Sequence, residues 1–161
     1  MSHKIIENIN LIEKDIRLKN EKVNIIAVSK TFSIENIKPL IDHGHIHFGE
    51  NKVQEAMQKW SNIKKISNNL KLHMIGKLQT NKVKYVIELF DYIHSVDNYK
   101  LAKKISEEEK KKGKKLKHFI QVNIGMEEQK NGIDIDNLND FYHHCNQELN
   151  LNVIGLMCIP P

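Results

Sequence analysis

Six short apolar runs recur along this chain, each set off from the next by a stretch with helical spacing. That alternation restricts the fold more than any other feature of the sequence. The runs lie at 23–29, 45–50, 71–76, 91–96, 118–125 and 152–159. Ahead of the first, Ile5, Ile9, Ile12 and Ile16 repeat at helical spacing and predict a helix over 4–19. "SIENIKPLIDHG" predicts a second helix, with Ser33 as N-cap and Gly44 as stop, and Pro39 is expected to kink it or delay its start. Asn51 with Gln54 three residues on resembles a capping box, and Val53, Met57 and Trp60 mark one face of the helix it opens. A further helix starts near Asn81. Asp97 caps a long one that Gly113 stops, with "EEEKKKGKKLK" as a solvated charged end. Leu138, Phe141, Tyr142, Cys145 and Leu149 give the next helix its buried stripe. Strands alternating with helices imply parallel pairing in one α/β domain. An open doubly wound sheet and a (β/α)8 barrel both fit. Six strands complete the first and leave the second two short, so periodicity alone leans towards the open sheet.

Composition narrows the function. The 161 residues are 40% hydrophobic, and no run approaches the roughly 18 apolar residues that span a bilayer, so no membrane partner is expected. Charges interrupt the first twenty residues throughout, unlike a signal peptide. Cys145 and Cys158 have no metal or redox spacing and read as free thiols in a reducing cytoplasm. The net charge of +5 invites a nucleic-acid reading, but of 25 basic residues only Arg17 is an arginine. Planar, bidentate recognition of bases and phosphates favours arginine, so no nucleic-acid partner is expected.

In a parallel α/β protein, chemistry collects at the carboxyl ends of the strands. There the sequence places Ser29 and Lys30, "FGEN" (48–51), "IGKLQTNK" (75–82), His94 and Ser95, Asn123, and Met157. Amides, hydroxyls and glycines thus converge on one lysine, Lys30, at the mouth of "IIAVSKTF". Desolvation at a buried strand end lowers an amine's pKa, and a neutral amine forms a Schiff base with an aldehyde. The common aldehyde cofactor held by a lysine is pyridoxal 5′-phosphate (PLP). His43, His45 and His47 alternate without a completing cysteine or carboxylate, so no metal is expected. Cys145 lies on an apolar stripe and reads as core. Neither a P-loop nor a G-x-G-x-x-G loop is present.

"AVSKT", "HFGENKVQEAMQKW", "HMIGKLQTNK", "HSVD", "QVNI", the Lys130/Gly132 pair in "QKNGI" and "GLMCIP", in this order, closely resemble the pyridoxal phosphate homeostasis protein family over essentially the whole chain. The resemblance implies a (β/α)8 TIM barrel of alanine racemase type, here a single PLP-binding domain over 1–161 that is truncated after about six strands. It implies PLP as cofactor, bound by Lys30, with Asn51 lining the pocket, Met157 near the ring, and His73, Ser95 and Asn123 as further lining residues. It also implies a non-catalytic carrier or regulator of PLP and vitamin B6, with PLP-dependent apoenzymes as candidate partners. Family members continue through two more strands that carry the phosphate-binding loops, and Arg17 precedes strand one and cannot replace them. A binding-incompetent remnant, or a racemase-like PLP enzyme, are the alternatives. The two strand edges left open are expected to favour self-association.

Overall fold

The computed structural model describes residues 2–19, 22–125 and 131–160. Six helices alternate with six strands: α1 (Ser2–Lys19), β1 (Ala27–Val28), α2 (Ile34–Asp42), β2 (His47–Glu50), α3 (Val53–Ile66), β3 (Lys71–Met74), α4 (Val83–Leu89), β4 (Tyr92–Val96), α5 (Tyr99–Lys112), β5 (Lys117–Gln121), α6 (Leu138–His143) and β6 (Val153–Met157). A 3-10 turn at Thr80–Lys82 leads into α4, and a π-helical turn at His144–Glu148 extends α6.

All strands are parallel and stand in sequence order, β1-β2-β3-β4-β5-β6. Doubly wound sheets reverse direction at a switch point; a barrel wall does not. The monotonic order therefore overturns the open sheet favoured by periodicity and bears out the barrel, whose wall is not closed, with β1 and β6 as its edges. Alternate strand residues Phe48, Leu72, Met74, Ile93 and Ile120 pack in the buried layer with Ala56 and Trp60 of α3, Val86 and Ile87 of α4, Leu101 and Ile105 of α5, and Phe141. Cys145 lies in the same core, as expected.

Several local expectations fail, each for a physical reason. β1 is two residues long rather than 23–29, because it is an edge strand with a partner on one side only. Pro39 neither delays nor ends α2. It sits in the sixth position, where the lost N–H leaves one carbonyl, that of Glu35, without its helical partner in the exposed first turn. The capping box at Asn51 does not form. Lys52 is the N-cap of α3 and makes no side-chain cap, while Asn51 is held at the strand end. α5 is capped one residue later than expected, by Asn98, whose side chain accepts from Leu101 N–H at 2.9 Å. The charged end of α5 is not wholly solvated: Glu109 is buried and accepts from Leu116 N–H at 2.7 Å, with His118 Nε2 2.8 Å from the same oxygen, which ties the turn into β5. Tyr142 is exposed rather than core, because α6 is only six residues long before its turn widens to π spacing.

Candidate functional site

Strand β1 ends in Ser29–Lys30–Thr31, and the residues on either side of Lys30 are pinned. Ser29 N–H donates to the Gly49 carbonyl at 2.9 Å, and its Oγ donates to Glu50 Oε1 at 2.7 Å. Glu50 is fully buried and the same oxygen accepts from Trp60 Nε1 at 2.9 Å. Lys59 Nζ, itself largely buried, lies 2.8 Å from Glu50 Oε1, 2.8 Å from the Ser29 carbonyl and 3.3 Å from Glu55 Oε1. Glu55 Oε1 in turn accepts from Thr31 N–H at 2.7 Å. That backbone donor, with Lys59, holds the Glu55 carboxyl below its ordinary range. Thr31 has φ of 66°, in the left-handed region a β-branched residue rarely adopts. Lys30 itself is exposed. The desolvation expected of it is missing because β1 is an edge, with no strand beyond it in the sheet to wall it off.

Asn51, Asn123 and Met157 lie at the same end of the sheet as Lys30. Asn51 follows β2, and its Oδ1 is buried without a hydrogen-bond partner. It is wedged against Gly76: a Cβ there would stand 2.3 Å from the Asn51 carbonyl oxygen, so no larger residue fits without backbone movement. Asn123 is buried two residues past β5. Its N–H donates to the Ile133 carbonyl at 3.0 Å. Gly132 has φ of 127° and passes so close that a Cβ would sit 2.5 Å from Asn123 N. Close approach is the physical content of the glycine in "QKNGI"; Lys130 of that motif lies outside the described residues. Met157 ends β6, half-buried, and its carbonyl accepts from Val122 N–H at 2.8 Å. His73 and Ser95 are buried within β3 and β4 rather than beyond their ends, and Ser95 Oγ has no partner.

The sequence reading missed what His73 does. His47, His73 and His94, on consecutive strands and on the face turned away from the helices, form a chain of imidazoles. His47 Nδ1 lies 2.9 Å from His73 Nε2, and His73 Nδ1 lies 2.9 Å from His94 Nε2. His73 stacks on Tyr92 at 4.1 Å between centroids, and His94 on Phe119 at 4.3 Å. Each contact pairs one N–H with one lone pair, so neutral rings satisfy it. Burial, with the neighbouring imidazoles, pushes His73 down to about 3, and burial takes His94 down to about 4. His47 is lowered too, first by burial. No group of three histidines, cysteines or carboxylates could hold a metal among the described residues, so the chain of rings is a hydrogen-bonded one. Period-2 alternation could have placed each histidine on the inner face, but their meeting depends on strand register, which sequence does not display.

Two grooves adjoin the rim. An apolar one of about 550 Å³ runs beside β1 between α1 and α2, lined by Ile5, Val28, Phe32, Leu40 and Phe48. A second, of about 520 Å³ and mixed lining, is walled by Asn51, Lys52, Glu55, Met74, Lys77 and Lys82. Chemically, the rim offers an accessible primary amine on a rigid turn, with amides and a thioether at neighbouring strand ends.

Known proteins share this sequence and fold. The family model "Alanine racemase, N-terminal domain" matches residues 2–161. Pyridoxal phosphate homeostasis proteins of Buchnera aphidicola and Aquifex aeolicus are 39% and 38% identical, over 95% and 85% of this chain. The chain spans 69% of the first and 59% of the second. The solved structure of PipY of Synechococcus elongatus without PLP is 34% identical, with a TM-score of 0.83 over 92% of this chain and 69% of PipY. The same protein solved with PLP bound gives a TM-score of 0.81. By sequence and by fold, this chain belongs to the pyridoxal phosphate homeostasis protein family, on the fold of the alanine racemase N-terminal domain.

Proposed function

We propose that this chain binds PLP through a Schiff base on Lys30 and serves intracellular PLP and vitamin B6 homeostasis as a carrier or regulator rather than as a catalyst. The observation that carries the reading is the turn at Ser29–Thr31: an exposed amine on a backbone locked on both sides. The residues fit the aldehyde-bearing half of the cofactor. Lys30 supplies the amine that condenses with the aldehyde, with loss of water. Asn51 has a buried acceptor still unspent, and Asn123 and Met157 share its end of the sheet. The bond would be reversible: an acceptor's lysine amine would displace the Lys30 amine from the imine carbon and leave Lys30 free, and PLP-dependent apoenzymes are the proposed acceptors. The name of the relatives, and PipY with PLP bound, support holding the cofactor. A cytoplasmic setting belongs to the same proposal, supported by two unpaired cysteines. Among the described residues no helix is long and apolar enough to cross a membrane.

Titration with PLP tests the reading. A new absorbance band of the protein-bound imine is expected with wild type and not with Lys30→Ala. An equal band in Lys30→Ala would overturn the assignment.

Residues 1–161 in isolation are proposed to self-associate. β1 and β6 are open edges, and Val28, Phe32, Ile154 and Leu156 are 48%, 56%, 46% and 58% exposed beside them. Sedimentation velocity should show oligomers that Leu156→Lys disperses. A cooperative monomer of ordinary stability would contradict the proposal.

A further inference from the structure

We propose that Glu55 and Lys59 of α3, with Glu50 beneath them, are positioning residues for Lys30: they fix the backbone on both sides of it and so preset the amine for imine formation. The inference rests on the reading of Lys30 as the PLP lysine.

Three anchors meet on three atoms. Glu50 Oε1 accepts from the Ser29 hydroxyl at 2.7 Å, Lys59 Nζ donates to the Ser29 carbonyl at 2.8 Å, and Glu55 Oε1 accepts from the Thr31 N–H at 2.7 Å. Lys59 joins the two carboxylates, at 2.8 and 3.3 Å. Lys30 is the residue between the anchored pair, and its own side chain is exposed. The last anchor has a special task. Thr31 stands at φ of 66°, where a β-branched residue is disfavoured, and a conformation of that kind persists only when its surroundings impose it. The Glu55 carboxylate, reached from the first turn of the neighbouring helix, imposes it. Without that bond Thr31 relaxes towards ordinary backbone angles and the peptide joining it to Lys30 turns with it. Backbone freedom then has to be surrendered on binding. At the usual entropy of fixing one residue, this lowers the imine equilibrium constant about five- to thirtyfold.

The chemistry of the anchor makes it testable. A hydrogen bond from Thr31 N–H needs an acceptor at this position but not a charge. Glu55→Ala removes the acceptor and Glu55→Gln retains one. Glu55 is part-exposed, so neither substitution opens the core. For the buried part, removing Lys59 alone would strand Glu50, so the double variant Lys59→Met with Glu50→Gln is the informative one: it removes both charges and keeps an acceptor for Ser29 and Trp60.

The measurements are the imine equilibrium constant with pyridoxal and with PLP, from absorbance, and the exchange rate of the Thr31 amide in the ligand-free chain. Glu55→Ala is expected to lower the constant about tenfold and to speed Thr31 exchange by a similar factor, with the thermal midpoint little changed. Glu55→Gln is expected to restore both to near wild type. The double variant is expected to lower the constant while Thr31 exchange stays slow, because Glu55 remains. Wild-type imine constants in both Glu55→Ala and the double variant, with Lys30→Ala giving none, would overturn the positioning role and leave Lys30 as the binding residue. Equal loss in Glu55→Ala and Glu55→Gln would overturn it as well, by making charge rather than the hydrogen bond the cause. An unchanged imine in Lys30→Ala would instead remove the reading beneath it.

Discussion

PLP is expected to bind residues 1–161 about a thousandfold more weakly than it binds an eight-stranded relative, and pyridoxal, without its phosphate, nearly as well as PLP. In parallel barrels the phosphate site is frequently formed by the loops after strands seven and eight, and the described residues of this chain form six strands. Charge-assisted hydrogen bonds to phosphate are worth roughly 1.5–3 kcal/mol each, so losing two or three of them costs on the order of a thousandfold or more in affinity. What remains is the half of the proposed site around Lys30, Asn51 and Asn123, which on this proposal would meet the ring and aldehyde and not the phosphate. Parallel titrations with PLP and pyridoxal decide the matter. Pyridoxal binding far more weakly than PLP would mean that a phosphate site exists on this chain, with the lysine-lined groove of Lys52, Lys77 and Lys82 the place to look.

The second large effect is acid lability. His73 and His94 are neutral in the folded chain down to about 3 and about 4, whereas unfolded histidine titrates near 6.5. Above about pH 6.5 both states are neutral at these positions and stability does not change with pH on their account. Below it the unfolded chain binds protons that the folded one refuses, so stability falls as pH drops towards the folded values and levels off beneath them. While both lag, the loss is roughly 3 kcal/mol per pH unit, against a total of about 5–15 kcal/mol for ordinary domains. By pH 4 most of that loss has accrued, which is enough to unfold a chain at the lower end of this range. Denaturant midpoints measured from pH 7.5 to 4.5 should fall steeply for wild type and clearly less for His73→Phe/His94→Phe, which keeps ring stacking on Tyr92 and Phe119 without the titration. Parallel slopes for the two proteins would exclude the imidazole chain as the cause.

Much of this architecture was legible because helices and parallel strands write different periods. All six strands and the helices between them fall where apolar spacing put them. Boundaries failed where a contact rather than a pattern decides. Asn98 rather than Asp97 caps α5, since its side chain meets Leu101 N–H. Glu109 is buried inside a run that reads as solvated, since His118 and the Leu116 N–H reach it. The choice between open sheet and barrel was not in the periodicity at all. Strand order depends on which neighbours pair, and the resemblance supplied what spacing could not. Lys30, Asn51, Asn123 and Met157 share one end of the sheet, as their place after apolar runs implied. The meeting of His47, His73 and His94 across three strands, and of Ser29, Glu50, Glu55 and Lys59 across a turn and a helix, is tertiary and left no local mark.

The central claim is that one lysine of this lysine-rich chain, Lys30, carries PLP. Borohydride reduction of the PLP-treated chain followed by peptide mapping tests it most directly. The reduced pyridoxyl label is expected on the peptide containing Lys30, at high occupancy, and is expected to vanish in Lys30→Ala. Label spread over the surface lysines, unchanged by that substitution, would contradict it.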